Sequence, residues 1–239
     1  MDTLEHARDQ PQLTLLNAFE LHCDGVAVSI TLPAQRVLGF LAMQDRPVPR
    51  DYVAGTLWID SSEEHATGSL RSALWRLRQC GDRLVEVSGR QLVLSSHVRV
   101  DARVAADWAR RLLDPSATIT DEDITRIPRS GDLLPGWYDD WVLVERERLR
   151  ELLLHALDRL CEGLMREGRY GQALEAGHAA VRMEPLRESG HRSVIRVHLA
   201  EGNQAGALRQ YHLFRRLLEN ELRLEPSGQM HDLMAELIA

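Results

Sequence analysis

The chain has 239 residues, more than one small module needs and less than three, so two domains are expected. With 44% hydrophobic and 27% charged residues it is neither disordered in composition nor, for want of an apolar run near the ~20 residues a span requires, suited to cross a membrane. Its net charge of −7 weighs against a nucleic-acid partner, and the polar, acidic stretch from Met1 to Gln10 is not a secretory signal, so a cytoplasmic protein without membrane contact is expected.

Residues 12–32 read as strands. Leu13, Leu15, Phe19 and Leu21 are apolar, Asp24-Gly25 signals a turn, and Val26, Val28, Ile30 and Leu32 alternate. Pro33 opens a helix from Ala34 to Met43, with Val37, Leu38, Phe40 and Leu41 inward, and Pro47-Val48-Pro49 ends it. A short helix follows over about Arg50 to Trp58. Ser61, with Glu64 three residues on, predicts a capping box for a third helix running to about Cys80. Its Leu70, Leu74 and Leu77 form one core stripe. After Gly81 come strands at Leu84 to Val87 and Leu92 to Leu94 around a turn at Ser88-Gly89-Arg90. Three helices closed by a hairpin are the order of a winged helix-turn-helix, whose third helix enters a major groove and whose hairpin tip reaches an adjacent groove or phosphates.

A helix over Val104 to Leu113 precedes a loop-rich stretch, Asp114 to Gly131. From Glu145 the spacing of Leu149, Leu152, Leu153, Ala156, Leu157, Leu160 and Leu164 is helical throughout. Gly168 and Gly202, Ala173 and Ala207, and Leu174 and Leu208 each recur 34 residues apart, the tetratricopeptide period. Pro185 and Pro226 close the two units, and helices over Glu145 to Met165 and His231 to Leu237 are expected to cap them. The fold class is therefore an α+β N-terminal winged helix-turn-helix, residues 1–105, followed by an all-α tetratricopeptide-like domain, residues 106–239.

Catalytic chemistry has no foothold. There is no lysine, hence no ordinary P-loop, and neither a Gly-x-Gly-x-x-Gly after a strand nor a Gly-x-Ser-x-Gly. Cys23, Cys80 and Cys161 are far apart in sequence, and His191 and His198 read as packing or surface residues, so no catalytic, metal or cofactor site is expected. Asp139-Asp140 reads as a solvated turn before a helix. The positive charge is local: Gly68 to Arg90 holds five arginines against two acids, while residues 106–239 hold 18 arginines and 23 acids. On the third helix Arg71, Arg76 and Arg78 fall off the core stripe. A guanidinium can grip guanine through two parallel hydrogen bonds or clamp a phosphate. Thr67, Ser69 and Ser72 offer short polar contacts, Arg90 tips the wing, and Arg36 and Arg50 near helix starts are phosphate candidates. The bland alternative has these arginines solvating a helix and pairing with Glu63, Glu64, Asp82 and Glu86. Trp75 is read as packing beneath the wing in preference to a base contact.

The run from Leu70 to Arg78 resembles the recognition helix of the Streptomyces antibiotic regulatory protein family. Ala34-Gln35-Arg36-Val37-Leu38 and Thr56-Leu57-Trp58 resemble its first two helices. Asp132-Leu133-Leu134-Pro135-Gly136-Trp137-Tyr138-Asp139-Asp140-Trp141-Val142, with Glu145 to Leu149, resembles the start of its bacterial transcriptional activation domain, and Glu184 to Glu188 and Ala200 to Asn203 fit the same domain. The resemblance covers roughly residues 12–235. It implies a pathway-specific activator of a secondary-metabolite (antibiotic biosynthesis) gene cluster, with a DNA-binding domain like the output domain of two-component response regulators. It further implies binding to tandem direct repeats of double-stranded DNA, as a homodimer on DNA, and contact with RNA polymerase holoenzyme, hence a nucleoid-associated protein. It places base reading at Arg71, Ser72, Trp75 and Arg76, a phosphate contact at Arg78 and a wing contact at Arg90. The ATPase and sensor extensions of large members, and a receiver domain, have no counterpart here, so control is expected through expression level. Two other readings stay open: a helical-repeat scaffold whose winged domain binds protein, and a metabolite sensor.

Overall fold

The computed structural model describes residues 10–80, 84–128 and 132–238. Met1 to Asp9, the break at Gly81 with the charges of Asp82 and Arg83, and the loop end at Gly131 lie outside the described residues. In chain order the elements are β1 (Gln12–Thr14), β2 (Glu20–Cys23), β3 (Val26–Ala27), α1 (Leu32–Ala42), β4 (Val48–Pro49), α2 (Arg50–Leu57), α3 (Glu63–Gln79), β5 (Val85–Ser88), β6 (Gln91–Leu94), β7 (Arg99–Val100), α4 (Asp101–Leu113), α5 (Asp121–Thr125), α6 (Asp140–Arg166), α7 (Tyr170–Met183), α8 (Glu188–Ala200), α9 (Gln204–Leu222) and α10 (Gly228–Ile238). Two units result: one takes the chain up to Ala105 together with Asp132–Leu149, the other Ala106–Gly131 with Arg150–Ala239.

The first unit is a winged helix-turn-helix. One sheet has the order β3-β2-β1-β7, with β7 parallel to β1 and the rest antiparallel. Asp24 and Gly25 both have positive φ, as a two-residue type I′ turn requires. The alternating run beyond it is a strand over Val26–Ala27, followed by one more backbone bond to β2, from Val28 N–H to Leu21 O at 2.8 Å, before the chain turns into α1. Asp101 pins the sheet by accepting from the backbone N–H groups of Leu15 (2.8 Å) and Leu16 (3.1 Å). α1 ends without a glycine cap. Instead the guanidinium of Arg103 donates to the carbonyls of Leu41, Ala42 and Gln44 and satisfies its last turn. The wing is β5 paired with β6, and β4 extends it on the other side of β6.

The segment Asp132–Leu149 completes this unit and departs from the expected border, which put everything past residue 105 in the helical domain. Leu16 bridges Leu133, and Leu134 N–H donates to Leu15 O at 2.8 Å. Trp137 stacks on Phe19 at 5.9 Å, and Trp141 meets Phe40 of α1 edge-on at 5.3 Å. Gly39 is the point of close approach: a Cβ there would touch Leu134, Trp141 and Trp137 at 3.4, 3.6 and 3.8 Å. One guanidinium holds the turn together, as Arg146 donates to the carbonyls of Leu133, Leu134 and Trp137. Asp139 is not part of a solvated turn either. It pairs with Arg36, and both side chains are three-quarters or more buried.

The second unit stacks helices in the expected repeat. Gly168 and Gly202 sit at equivalent turns with φ of +72° and +82°, conformations that an L side chain resists, where α6 passes to α7 and α8 to α9. Ala173 and Ala207 are fully buried, which lets neighbouring helices approach closely. α10 covers the end through Met230 and Met234, packed with Tyr211, Phe214 and Leu218. The stretch expected as loop contains α5, started by a reciprocal capping box of Thr120 and Asp123, and Trp108 donates to Asp123 O at 3.2 Å. His191 is a core residue, as the packing reading had it. Its Nδ1 faces Gln210 Nε2 at 2.8 Å and its Nε2 faces Pro185 O at 2.9 Å, which together select the neutral tautomer protonated on Nε2.

Candidate nucleic-acid interface

α3 is held by its inward face. Ala66, Leu70, Ala73, Leu74 and Leu77 are buried at helical spacing, so the opposite face is turned to solvent. Its N-cap is Ser62, not Ser61. Ser62 Oγ accepts from His65 N–H and contacts His65 Nδ1 at 2.7 Å, which leaves no glutamate at the third helical position to close a capping box. Glu63 and Glu64 still favour the positive end of the helix dipole, and Arg76 and Arg78 the negative end.

Arg71, Ser72, Trp75, Arg76 and Arg78 are all exposed, and Ser69 is half-buried. At 3.6 residues per turn, Trp75 stands opposite the leucine stripe, with Arg71 and Arg78 to one side and Ser72 and Arg76 to the other. The indole is 60% exposed, which departs from packing beneath the wing. Ser72 Oγ is occupied in donating to Gly68 O at 3.1 Å, an internal bond that an incoming acceptor must replace. Among the described residues no acid pairs with Arg71, Arg76 or Arg78, so the solvating alternative has no support from Glu63, Glu64 or Glu86, and its fourth partner, Asp82, lies outside the described residues.

Two hollows flank α3. On one side Thr31, Trp58, His65, Ser69, Ser72 and Arg76 line a groove that reaches the start of α1. On the other, Arg50, Asp51, Thr67, Leu70 and Arg90 enclose a smaller one between α2, α3 and the wing. The wing tip is fastened there: Arg50 N–H donates to Arg90 O at 2.8 Å, and the Arg90 guanidinium meets Asp51 at 2.6 Å. Both of those side chains are more than half exposed, so this pair lies open to competition from another anion. Arg36 is placed differently from the rest. It is 24% exposed, paired with Asp139 and lies 5.8 Å over the Trp58 ring, so its charge serves the joint between α1 and the Asp132–Leu149 segment. The Asp51, Asp139 and Trp58 roles had no sequence signal, since each depends on partners distant in the chain. Among the described residues no group of three or more His, Cys, Asp or Glu is placed to hold a metal ion, and no helix is long and apolar enough to cross a membrane.

Residues 130–238 match the bacterial transcriptional activator domain. The chain is 25% identical over 226 residues to the regulatory protein AfsR of Streptomyces coelicolor, covering 90% of this chain and 23% of that protein. In fold it is similar to Mycobacterium tuberculosis EmbR, solved in complex with a low-affinity phosphopeptide, at a TM-score of 0.73 and 20% identity over 95% of this chain and 64% of that one. The chain thus spans about a quarter of the first relative and under two thirds of the second.

Proposed function

We propose that the protein is a sequence-specific DNA-binding transcriptional activator that lays α3 in the major groove, with Arg71, Ser72, Trp75 and Arg76 at base edges. Ser69 and Arg78 contact the backbone beside them, and Arg90 and Arg50 take the phosphates on the wing side. Two copies bind tandem direct repeats, and the helical unit contacts RNA polymerase at promoters of a secondary-metabolite cluster. The observation that carries this reading is the exposed face of α3, on which Arg71, Arg76 and Arg78 pair with no acid among the described residues. Phosphate contacts supply most of the affinity and base contacts the specificity.

The test is selection of bound sites from random-sequence DNA by the full chain, followed by affinity measurements. A direct repeat with equivalent points about 11 base pairs apart, one helical turn, is the expected yield. If about five phosphates are neutralised per protomer, log affinity falls against log salt with a slope near −4 to −5 per protomer. Arg76→Ala should cost about 1–3 kcal/mol on the selected site and much less on random DNA, while Arg78→Ala should weaken both alike. Equal losses on the two DNAs would remove Arg76 from base reading. Failure to enrich any sequence would refute the function itself.

A further inference from the structure

We infer that Trp75 is a thymine-methyl reader, so that each half-site carries a thymine whose C5-methyl group meets the indole. The inference rests on the DNA reading proposed above and specifies its chemistry. Trp75 occupies the crown of α3, opposite Leu70, Ala73, Leu74 and Leu77, with Arg71 four residues before it and Arg78 three after. A ring of this size, 60% exposed, is an expensive surface to leave in water. Among the described residues it has no stacking or cation contact that would explain it structurally: the aromatic pairs of the first unit join Phe19 to Trp137 and Phe40 to Tyr52 and Trp141, and the cation lies over Trp58.

Its surroundings favour a base. Helical side chains lean toward the N-terminus, so the indole projects over the preceding turn. Beyond Arg71 and Ser72 of that turn, the same line of the helix continues to Gly68, two turns before Trp75, which has no side chain and where an added Cβ would meet nothing within 4 Å. The ring therefore keeps an open face at the point of the helix nearest a groove floor. A major groove offers that face one apolar group only, the thymine C5-methyl, since every other position along the base edges is a hydrogen-bond donor, an acceptor or a bare ring carbon. The arginines on the same side of the helix at 71 and 78 are polar readers or phosphate clamps. The indole between them supplies the apolar contact that those residues cannot.

The experiment uses the full chain and the site recovered by selection. Each thymine is replaced in turn by deoxyuridine, which removes the methyl group and leaves the donor and acceptor pattern of the base pair unchanged. For the unaltered protein, one position per half-site should lose affinity about fourfold, the worth of one buried methyl group. In Trp75→Ala that loss should vanish while overall affinity is lower, and Trp75→Phe should restore it in part. Thermal melting of the variants checks that the fold is kept, as an exposed side chain allows. Tight binding with no uridine-sensitive position would overturn the inference and leave the DNA reading intact, as would a uridine penalty that persists in Trp75→Ala. Failure of the unaltered chain to select any site would remove both.

Discussion

Replacing Trp141 with alanine should weaken the winged unit although the residue lies beyond position 130. Trp141 is 9% exposed and meets Phe40 at 5.3 Å with the rings at 90°. Its buried Nε1 has no hydrogen-bond partner among the described residues, so truncation removes packing and breaks no polar bond to them. Loss of a buried tryptophan costs about 3–5 kcal/mol, of which the edge-on ring pair accounts for about 0.5–1.5. Hydrogen exchange followed by mass spectrometry reads where the loss falls. Peptides across α1, around Val37 to Leu41, should exchange faster in Trp141→Ala, and those across α9, around Tyr211 to Phe214, should be unchanged. Phe40→Ala should give the same pattern, and the double variant should lose less than the two single losses added, because the residues share one contact. Faster exchange in α9 with α1 protected as before would refute the assignment of this segment to the winged unit.

Asp51→Asn frees Arg90 from its counter-ion. Affinity for random DNA should rise, and the salt slope should steepen by up to about 0.9, one further phosphate, in fluorescence anisotropy titrations; an unchanged slope would mean that the pair does not hold the wing arginine back. Arg146→Lys swaps a planar fork serving three carbonyls for a point donor, so the urea midpoint should fall by the equivalent of about 1–3 kcal/mol, and a midpoint equal to that of the unaltered protein would count against the fork. Burial first, then the neighbouring His178, pushes the His191 pKa below its ordinary 6.5, and burial likewise lowers His178 and His198. The unfolded chain then binds more protons than the folded one just below pH 6.5, so unfolding free energy should decline between about pH 7.5 and 5.5. His191→Gln should flatten part of that decline, and a stability that grew toward acid would contradict the buried neutral tautomer.

What could be read from sequence was what periodicity carries. The core stripe of α3, the two-residue turn at Asp24-Gly25 and the 34-residue echo of glycine and alanine are local patterns, and the structure has them at those positions. Misplaced features depend on partners far along the chain. Asp139 follows Arg36 by 103 residues, and nothing near it in sequence distinguishes a buried ion-pair member from a solvated acid. From the residues alone Trp75 reads as packing beneath the wing in preference to a base contact, and only the placement of the elements around α3 reveals that it is 60% exposed. The cap moved by one residue, from Ser61 to Ser62, since adjacent serines are chemically equal and backbone geometry chooses between them.

The match to the activator domain begins at residue 130, yet the side chains that seat against Gly39 and Phe40 come from Leu134, Trp137 and Trp141. A chimaera spliced at the start of that match would give the recipient the wing and α3 but carry away the aromatic wedge behind α1. The cloning junction that respects the side-chain packing is discontinuous, and no single cut reproduces it. Moving the winged unit into another protein therefore means transplanting the stretch from Asp132 to Leu149 along with the N-terminal hundred residues.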